Sequence, residues 1–369
     1  HYWLRSDENV IGHLMDTVIY KKLKHVLDSK FDKATDFKKY ISLLKCINNF
    51  RNCKPQKQYI SAIIQNLKNT QELSEFDINH DLVCFKNGVY DLKIGEFRNG
   101  KKTDYCSQVV PYDWSKSTRA EMDTLMCWIN QIMPLFDERD CLLKCLSSCL
   151  TGRLLENIII LTGKGRNGKD TLITGLLHAT LGNDNYYNNS TAVITQTCKG
   201  GISQEKANMH KKRAVIYSEP SREETLKCAI LKEITGCPEL TGRGIYSKTT
   251  TIKNHSTNII HANAIPNLDY VDDAIANRLV IVLFRSLFRT QDKIDEFPTG
   301  TPNLHLVNSY YKSAEFLEKN RLVFMNILIK YYDNFKEDKY IIRNIPATMQ
   351  QFTKSYMSES DDFVNWFNS

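Results

Sequence analysis

The sequence predicts an α/β fold with a central parallel sheet, preceded by a mostly helical part with a β-hairpin and followed by a small helical part. Short apolar runs alternate with amphipathic segments between residues 151 and 290, an order typical of a parallel sheet buried on both faces. A glycine-rich loop joins the first of these apolar runs to a helix. These patterns predict three domains, over residues 1–150, 151–290 and 291–369.

The first domain is predicted to be mainly helical. Apolar residues recur at helical spacing on one face over residues 8–30, and further helices fit Tyr59–Leu67, 119–134 and 140–150. Between them, LVCFKNGVYDL places Asn87-Gly88 between two apolar runs. This dipeptide predicts a hairpin whose two turn residues have positive φ.

Four apolar runs predict the strands of the central sheet, and two segments between them predict helices. The strands are Ile158–Thr162, Ala214–Tyr217, Asn258–His261 and Leu279–Phe284, and the helices are Thr171–Leu181 and Glu224–Ile234. After Phe284, the polar segment Arg289–Asn303 is interpreted as a linker. Helices are then predicted near 306–336 and 347–367.

Composition excludes several classes of protein. Charged residues make up 25% and hydrophobic residues 42% of the 369 residues, as in ordinary soluble globular proteins. No stretch approaches the roughly 20 apolar residues of a membrane span, so no membrane partner is expected. The 11 cysteines include no CxxC pair, which argues against zinc and for free thiols in a reducing, intracellular compartment. Because the chain begins with His1 rather than methionine, a fragment of a longer protein is expected.

The loop GKGRNGKDT follows a predicted strand and opens a predicted helix. Its three glycines let the backbone curl so that N–H groups face a ligand, and the helix adds its positive N-terminal end. The spacing Gly163-x4-Gly168-Lys169 is the Walker A pattern, in which the lysine neutralises the β- and γ-phosphates. The predicted ATP-binding residues are Gly163, Lys164, Gly165, Arg166, Asn167, Gly168, Lys169, Asp170 and Thr171.

The metal-binding position of this loop departs from the usual pattern. Ser or Thr normally follows the lysine and binds Mg²⁺ through its hydroxyl, but here Asp170 follows it and Thr171 comes next. A carboxylate is also a hard oxygen donor for Mg²⁺. Asp170 is favoured as the ligand, directly or through water, with Thr171 as the alternative after a small shift.

Two polar residues end later apolar strands. Glu219 ends KRAVIYSEP, where a carboxylate can polarise the attacking water or hold the metal, although Ser218 stands where an acid usually precedes it. Asn263 ends TNIIHAN, where its amide can bond to both the γ-phosphate and water. The predicted Mg²⁺ ligands are therefore Asp170, Thr171 and Glu219.

Arg278 stands just before the last predicted strand. An arginine there could act in trans on the γ-phosphate of a neighbouring subunit, or it could form an ion pair with Asp272 or Asp273. The predicted catalytic residues are Lys169, Glu219, Asn263 and Arg278.

The net charge of +7 is unevenly distributed. Residues 196–255 hold eleven Lys and Arg against six Asp and Glu, which favours a polyanionic partner. Within this segment, LTGRGIYSKTTTIK predicts a β-hairpin with a basic tip. The predicted DNA-binding residues are Arg243, Tyr246 and Lys248. The two cations could follow the phosphate backbone of single-stranded DNA, and the tyrosine ring offers a face on which a base can stack. An ordinary exposed hairpin is the alternative.

The order of these residues resembles the superfamily 3 helicases of DNA viruses, which belong to the AAA+ class. The similarity is closest to the branch of poxvirus-type NTPases and primase-helicases, in which GxNGK is followed by a strand-end Glu, a strand-end Asn and an Arg before a closing strand. CFKNGVYDLKIGEF and PATMQQFTKSYMSESDDFVNWF resemble segments of that branch before and after the ATPase. The resemblance covers most of the chain, most strongly from about residue 80 to 290.

The resemblance implies an AAA+ type P-loop core and an ATP- and Mg²⁺-dependent helicase in viral DNA replication. It implies a homo-hexameric ring, with the hairpin Gly242–Lys248 in the central channel on single-stranded or forked DNA. A primase domain often lies upstream in the same polypeptide of this branch, and other replication proteins are expected partners. The expected location is the host cytoplasm or nucleus.

From the residues alone, other functions stay open. A packaging-type ATPase would be stimulated by duplex DNA without separating its strands. A nucleotide kinase would have no use for Arg278 in trans. The unusual Asp170 also fits a non-enzymatic DNA-binding ring with a degenerate nucleotide site.

Overall fold

The computed structural model describes residues 20–30, 37–49, 76–196, 204–242 and 250–360. The chain divides into two compact units, one over residues 3–78 and one that contains residues 79–369. The domain boundaries predicted after residues 150 and 290 fall inside the second unit and stay predictions. The predicted helix Tyr59–Leu67 lies outside the described residues.

The first unit contains two described helices, α1 (Tyr20–Lys30) and α2 (Phe37–Asn49). The Tyr40 hydroxyl donates a 2.6 Å hydrogen bond to Asp28 Oδ1 and joins the two helices. Helix α1 coincides with the end of the helix predicted over 8–30, whereas α2 was not predicted from the sequence. The described helices of the chain include none with the length and apolarity of a membrane span.

The second unit begins with an antiparallel sheet of β1 (Leu82–Phe85), β2 (Gly88–Asp91) and β3 (Glu96–Arg98). The predicted hairpin is confirmed, but its turn is not the predicted one. Phe85 pairs with Gly88, so the loop is Lys86-Asn87, and neither Asn87 nor Gly88 has a positive φ. Gly88 is needed for another reason, because a Cβ there would lie 2.5 Å from the carbonyl oxygen of Arg98.

Two helices follow, close to their predicted positions. Helix α3 spans Arg119–Ile132, and Thr118 caps its N-terminus in a capping box with Glu121. Helix α4 spans Phe136–Ser147 and ends in a single 3₁₀ turn, Ser148–Leu150. Their buried faces join the main hydrophobic core of the unit.

The centre of the unit is a five-stranded parallel sheet with the order β12-β4-β10-β6-β5. Its strands are β4 (Ile158–Thr162), β5 (Tyr186–Asn189), β6 (Ala214–Ser218), β10 (Thr257–His261) and β12 (Leu279–Leu283). The four predicted strands are confirmed to within one residue at each end. The edge strand β5 was missed, because YYNN is polar and half of it faces solvent.

Between these strands lie shorter elements. The helical segment after the glycine-rich loop is π-helical over Thr171–Leu177 and continues as α5 (His178–Asn185). The next elements are α6 (Ala192–Thr195), α7 (Gln204–Ala207), β7 (Thr225–Leu226), α8 (Cys228–Gly236), β8 (Glu239–Gly242), β9 (Thr250–Lys253), β11 (Asn267–Leu268) and α9 (Asp273–Ala276). The helix predicted from Glu224 therefore begins at Cys228, after a short strand.

The segment predicted to be a linker is structured instead. Strands β13 (Leu287–Arg289) and β14 (Leu304–Leu306) pair in parallel, and α10 (Gln291–Ile294) lies between them. We call residues 287–306 the wing. The C-terminal helices are α11 (Ala314–Glu337) and α12 (Ala347–Ser360), and residues beyond 360 lie outside the described part of the chain.

The central sheet is buried on both faces. Alternate residues of β4 contribute to different cores, with Ile159 and Leu161 on one face and Ile158 and Ile160 on the other. The first face is covered by α3, α4 and α11, and the second by α8 and α12. This explains why these strands are continuous apolar runs rather than alternating ones.

Two histidine rings contact each other where the small antiparallel sheet approaches the central one. The rings of His80 and His255 lie 4.6 Å apart, edge to face. Burial, together with the nearby His80 and the Arg213 guanidinium, lowers the pKa of His255 to about 3. The pKa of His80 is also lowered, chiefly by burial. The folded chain therefore holds both rings neutral, whereas an unfolded histidine takes up a proton near pH 6.5.

This difference predicts a loss of stability in mild acid. Because the folded pKa is depressed, the contribution of His255 is complete above pH 6.5 and is lost as the pH falls toward about 3. When the pH falls from 7.5 to 5, His255 should lower the free energy of unfolding, measured with urea, by on the order of 2 kcal/mol. His255→Gln should reduce this pH dependence, whereas His178→Gln, at a histidine outside the pair, should not. An unchanged pH dependence in His255→Gln would contradict the assignment.

Candidate nucleotide-binding site

The glycine-rich loop leaves the carboxyl end of β4 in a strained curl that two of its glycines permit. Gly163 has φ 144° and Gly168 has φ 84°, and Arg166 also has a positive φ of 65°. A Cβ on Gly163 would lie 2.4 Å from the carbonyl oxygen of Phe284, and one on Gly168 would lie 2.9 Å from Ile132 Cγ1. Gly165 has neither a positive φ nor a close neighbour, so this conformation does not require glycine there.

Lys169 is buried at the carboxyl end of the sheet, with only 2% of its surface exposed. Its Nζ donates to the carbonyl oxygen of Ala262 at 2.7 Å and to Asn263 Oδ1 at 3.4 Å. Glu219 Oε1 lies 4.0 Å from the same nitrogen. Burial lowers the pKa of Lys169, although the charges of Glu219 and Asp170 oppose this shift.

Glu219 and Asn263 follow the neighbouring strands β6 and β10, and their side chains meet. Asn263 Nδ2 donates to the two carboxylate oxygens of Glu219 at 3.3 and 3.1 Å. Glu219 has φ 54°, a left-handed conformation that costs a non-glycine residue about 1–2 kcal/mol. Its backbone N–H donates a 2.7 Å hydrogen bond to the carbonyl oxygen of His261, which holds it in place. Backbone strain of this kind is concentrated at functional sites.

His261, which was not predicted as a site residue, lies between the two acids of the site. Its Nε2 is 2.9 Å from Asp170 Oδ1, and its Nδ1 is 3.6 Å from Glu219 Oε1. The ring is buried, whereas half or more of each carboxylate side chain is exposed. The imidazole is the largest cause that lowers the pKa of Asp170. A histidine at the end of an otherwise apolar buried strand was the available sequence signal.

The two candidate metal ligands of the loop differ in burial and in their neighbours. Asp170, Glu219 and His261 each offer a ligand atom, and these atoms lie within 4.8 Å of one another. Thr171 is buried, and both Thr171 and Asp170 line a cavity beside the loop. Both residues can supply the oxygen donors that Mg²⁺ takes, so the choice between them stays a prediction.

That cavity has a volume of about 300 Å³ and lies beside the loop residues Arg166–Thr171. Its walls carry three aromatic side chains, Trp128 of α3, Phe288 of the wing, and Tyr311 after it. The Phe288 N–H also donates to the carbonyl oxygen of Arg166 at 2.8 Å, so the wing supports the loop directly. These three residues were not predicted from the sequence, because they are far apart in the chain and only the fold brings them together.

Arg278 stands at the opposite end of the sheet from the glycine-rich loop. Its carbonyl oxygen accepts a hydrogen bond from Ile158, the first residue of β4, while the loop leaves the last residue, Thr162. Five residues of strand separate the two ends by about 16 Å, which is beyond the reach of an arginine side chain. Arg278 therefore cannot contact a phosphate held by its own loop.

The ion pair considered for Arg278 is not formed within the described residues. Asp272 instead pairs with Lys232, and Arg278 Nη1 donates to the carbonyl oxygen of Ala274 at 2.7 Å. The Nε of Arg278 is buried without a hydrogen-bond partner. The guanidinium therefore has no carboxylate partner in the part of the chain that the structure describes.

The predicted basic hairpin is present as the antiparallel strands β8 and β9, which pair from Glu239 with Lys253 to Gly242 with Thr250. Its tip, with Arg243, Tyr246 and Lys248, lies outside the described residues. The DNA-binding assignment of these three residues stays a prediction.

Comparisons with known proteins agree with the resemblance. Residues 1–134 match the family model described as D5 N terminal like. A protein of Acanthamoeba polyphaga mimivirus named "Putative helicase L207/L206" is 26% identical over 99% of this chain and 39% of its own length. Monkeypox virus "Uncoating factor OPG117" is 30% identical over 77% of this chain and 38% of its own. Fowlpox virus "Primase D5" is 28% identical over 75% of this chain and 36% of its own length.

The chain is thus related to the D5-type proteins of large DNA viruses, as the sequence predicted. It spans about two fifths of the length of these relatives, 39% and 38% for the first two. Among solved structures, the apo NrS-1 C-terminal region aligns with 78% of this chain and 71% of its own at a TM-score of 0.48 and 15% identity.

The left-handed backbone of Glu219 predicts an unusual order of stabilities. Glu219→Gly and Glu219→Ala both remove the carboxylate, but only glycine relieves the backbone strain. The glycine variant should be more stable than the alanine variant by about 1 kcal/mol in urea unfolding. Glu223, which has no positive φ, is the matched control, and there alanine should be at least as stable as glycine. If the alanine variant is at least as stable as the glycine variant at Glu219 too, Glu219 stores no backbone strain.

Proposed function

We propose that this D5-type chain is the ATP-hydrolysing core of a helicase in viral DNA replication. The observation that carries the proposal is the convergence of Lys169, Glu219 and Asn263 beside a glycine-rich loop at one edge of a parallel sheet. Each is the residue type that phosphoryl transfer from ATP to water needs in that place. The five-stranded sheet, with β10 between the loop strand and β6, supports an AAA+ type core.

The roles follow from the contacts. The loop N–H groups and Lys169 would hold the phosphates, and Glu219 would orient and polarise the attacking water. Asn263 bonds to Lys169 through its oxygen and to Glu219 through its nitrogen, so it is placed to respond when either partner moves. Bound Mg²⁺ would neutralise charge between the phosphates, held by Asp170 or Thr171 with Glu219.

The aromatic cavity suits the base and sugar of the nucleotide. It adjoins the loop where the phosphates would end, and its volume of about 300 Å³ lies at the lower limit of small-molecule pockets. Trp128, Phe288 and Tyr311 supply ring faces for stacking. The wing would therefore close one side of the site. The hydrogen bond from the Phe288 N–H to the Arg166 carbonyl oxygen holds the loop against the wing.

A ring of subunits is proposed because the site is incomplete in one chain. Arg278 lies too far from its own loop, and its guanidinium has no carboxylate partner among the described residues. In a homo-hexamer it would reach the γ-phosphate of the neighbouring subunit, where such an arginine accelerates hydrolysis strongly. The hairpin of β8 and β9 would then carry Arg243, Tyr246 and Lys248 toward single-stranded DNA in the channel.

An upstream primase and other replication proteins are the proposed partners. The relatives extend well beyond the aligned part, and one of them is named as a primase. Because these parts lie outside this chain, their activities are proposals for the longer protein.

The ATPase proposal predicts the effect of removing Lys169. Lys169→Ala should lower kcat for ATP hydrolysis at least about 100-fold, because a phosphate-neutralising cation is lost from a buried site. Forked-duplex unwinding should fail with it, while single-stranded DNA binding stays largely intact. Lys319→Ala, at an exposed lysine of α11, is the control and should behave as wild type. Duplex-stimulated hydrolysis by the wild type without strand separation would favour a packaging-type motor instead.

The assignment of Arg278 in trans predicts complementation between two inactive proteins. Arg278→Ala and Lys169→Ala should each be inactive alone, because every site lacks one essential cation. In an equimolar mixture that assembles at random, roughly a quarter of the sites regain both groups, so ATPase activity should reappear. If the mixture stays inactive although mixed rings form, Arg278 does not act across subunits.

A further inference from the structure

His261 carries a feature that ATP hydrolysis alone does not explain. Its ring is buried at 1% exposure, and neither ring nitrogen has a well-aligned hydrogen bond, although Nε2 lies 2.9 Å from the Asp170 carboxylate. Buried polar atoms in folded proteins nearly always have a partner, so such an imidazole calls for one. The ring faces the two acids of the site. Its Nε2 lies 2.9 Å from Asp170 Oδ1, and its Nδ1 lies 3.6 Å from Glu219 Oε1.

The three side chains together have the composition of a transition-metal site. One imidazole nitrogen and two carboxylate oxygens lie within 4.8 Å of one another. More than half of each carboxylate side chain is exposed, while the ring is buried at the end of β10. Imidazole is a common ligand of first-row transition ions, whereas Mg²⁺ takes oxygen donors almost alone. Mn²⁺ favours oxygen donors as Mg²⁺ does, but it is a first-row transition ion, so it can probe a site of mixed nitrogen and oxygen ligands.

The local charge also favours a cation before any nucleotide arrives. Asp170 and Glu219 bring two negative charges, and Lys169 offsets one of them from 4.0 Å. One negative charge is therefore left beside the imidazole. A divalent ion there would bind the imidazole nitrogen directly and take the place of its poorly aligned contact with Asp170.

We infer that Asp170, Glu219 and His261 form a site for a divalent first-row transition ion, with Mn²⁺ as the probe, that is occupied without nucleotide. This inference deepens the proposed function, since two of its ligands belong to the proposed ATPase site. In this role His261 is a metal ligand, and Mn²⁺ binds to the nucleotide-free chain more tightly than Mg²⁺ does. The nitrogen ligand distinguishes the site from an ordinary magnesium site of oxygen donors.

The test is Mn²⁺ binding to the full, tag-free, nucleotide-free protein, followed by electron paramagnetic resonance. Loss of the free-ion signal gives stoichiometry and affinity, and pulsed measurements detect the magnetic coupling of a ligating ¹⁴N. The wild type should bind one Mn²⁺ per chain with this coupling. His261→Gln should lose the coupling and bind at least about tenfold more weakly. His178→Gln, at a histidine outside the cluster, should keep both.

Other outcomes separate this inference from the proposed ATPase. Mn²⁺ bound without nitrogen coupling, or no binding at millimolar Mn²⁺, would overturn the histidine site while leaving Mg²⁺-dependent hydrolysis intact. If His261→Gln does not fold, Asp170→Asn replaces it and should weaken Mn²⁺ binding while keeping the nitrogen coupling at saturation. Nitrogen coupling in a wild type that hydrolyses no ATP would overturn the ATPase and leave the metal site standing.

Discussion

The position of β10 between β4 and β6 is the constraint on which the candidate site depends. Ile259 of β10 pairs with Ile159 on one side and with Ile216 on the other. Because parallel strands end at the same edge, the residues after each strand meet there: the glycine-rich loop, Glu219 and Asn263. A slip of one residue would turn His261 and its neighbours to the opposite face. The buried Asn258 opposes such a slip, since its amide donates to the carbonyl oxygen of Ile234 in α8.

The shape of the loop, in contrast, depends on segments outside the sheet. The Phe284 carbonyl leaves no room for a side chain at Gly163, and Ile132 of α3 leaves none at Gly168. Phe288 of the wing bonds to the loop from a third direction. The helical part before the sheet and the wing after it are therefore needed for the phosphate-binding curl. This explains why residues 79–369 form one compact unit around the site.

The parts that the sequence predicted well are those where burial acts on a short segment. The runs Ile158–Thr162 and Leu279–Phe284 are apolar because both faces of the sheet are covered, so their ends are marked by polar residues. The edge strand β5 is YYNN, and the wing strands are three residues long and mostly half-buried, so neither contains a continuous apolar run of four or more residues. The turn at Asn87 was misassigned because Asn-Gly is the usual dipeptide of a hairpin turn. Here the glycine is needed instead for close packing against the Arg98 carbonyl. His261 was passed over because a lone histidine does not reveal which acids the fold brings to it.

The arrangement of charges suggests how the site would pass from its nucleotide-free state to a working one. Lys169 is desolvated and held by Ala262 and Asn263, so its amine already has partners when no phosphate is present. A triphosphate offers stronger anionic partners and would draw the amine away from the end of β10. Asn263 Oδ1 would then lose its donor while its Nδ2 still holds Glu219. The amide could reorient only by moving the carboxylate as well, so phosphate binding and the position of Glu219 would be linked through one side chain. Since Glu219 is held in a strained backbone conformation, a small change in these bonds would be enough to shift it.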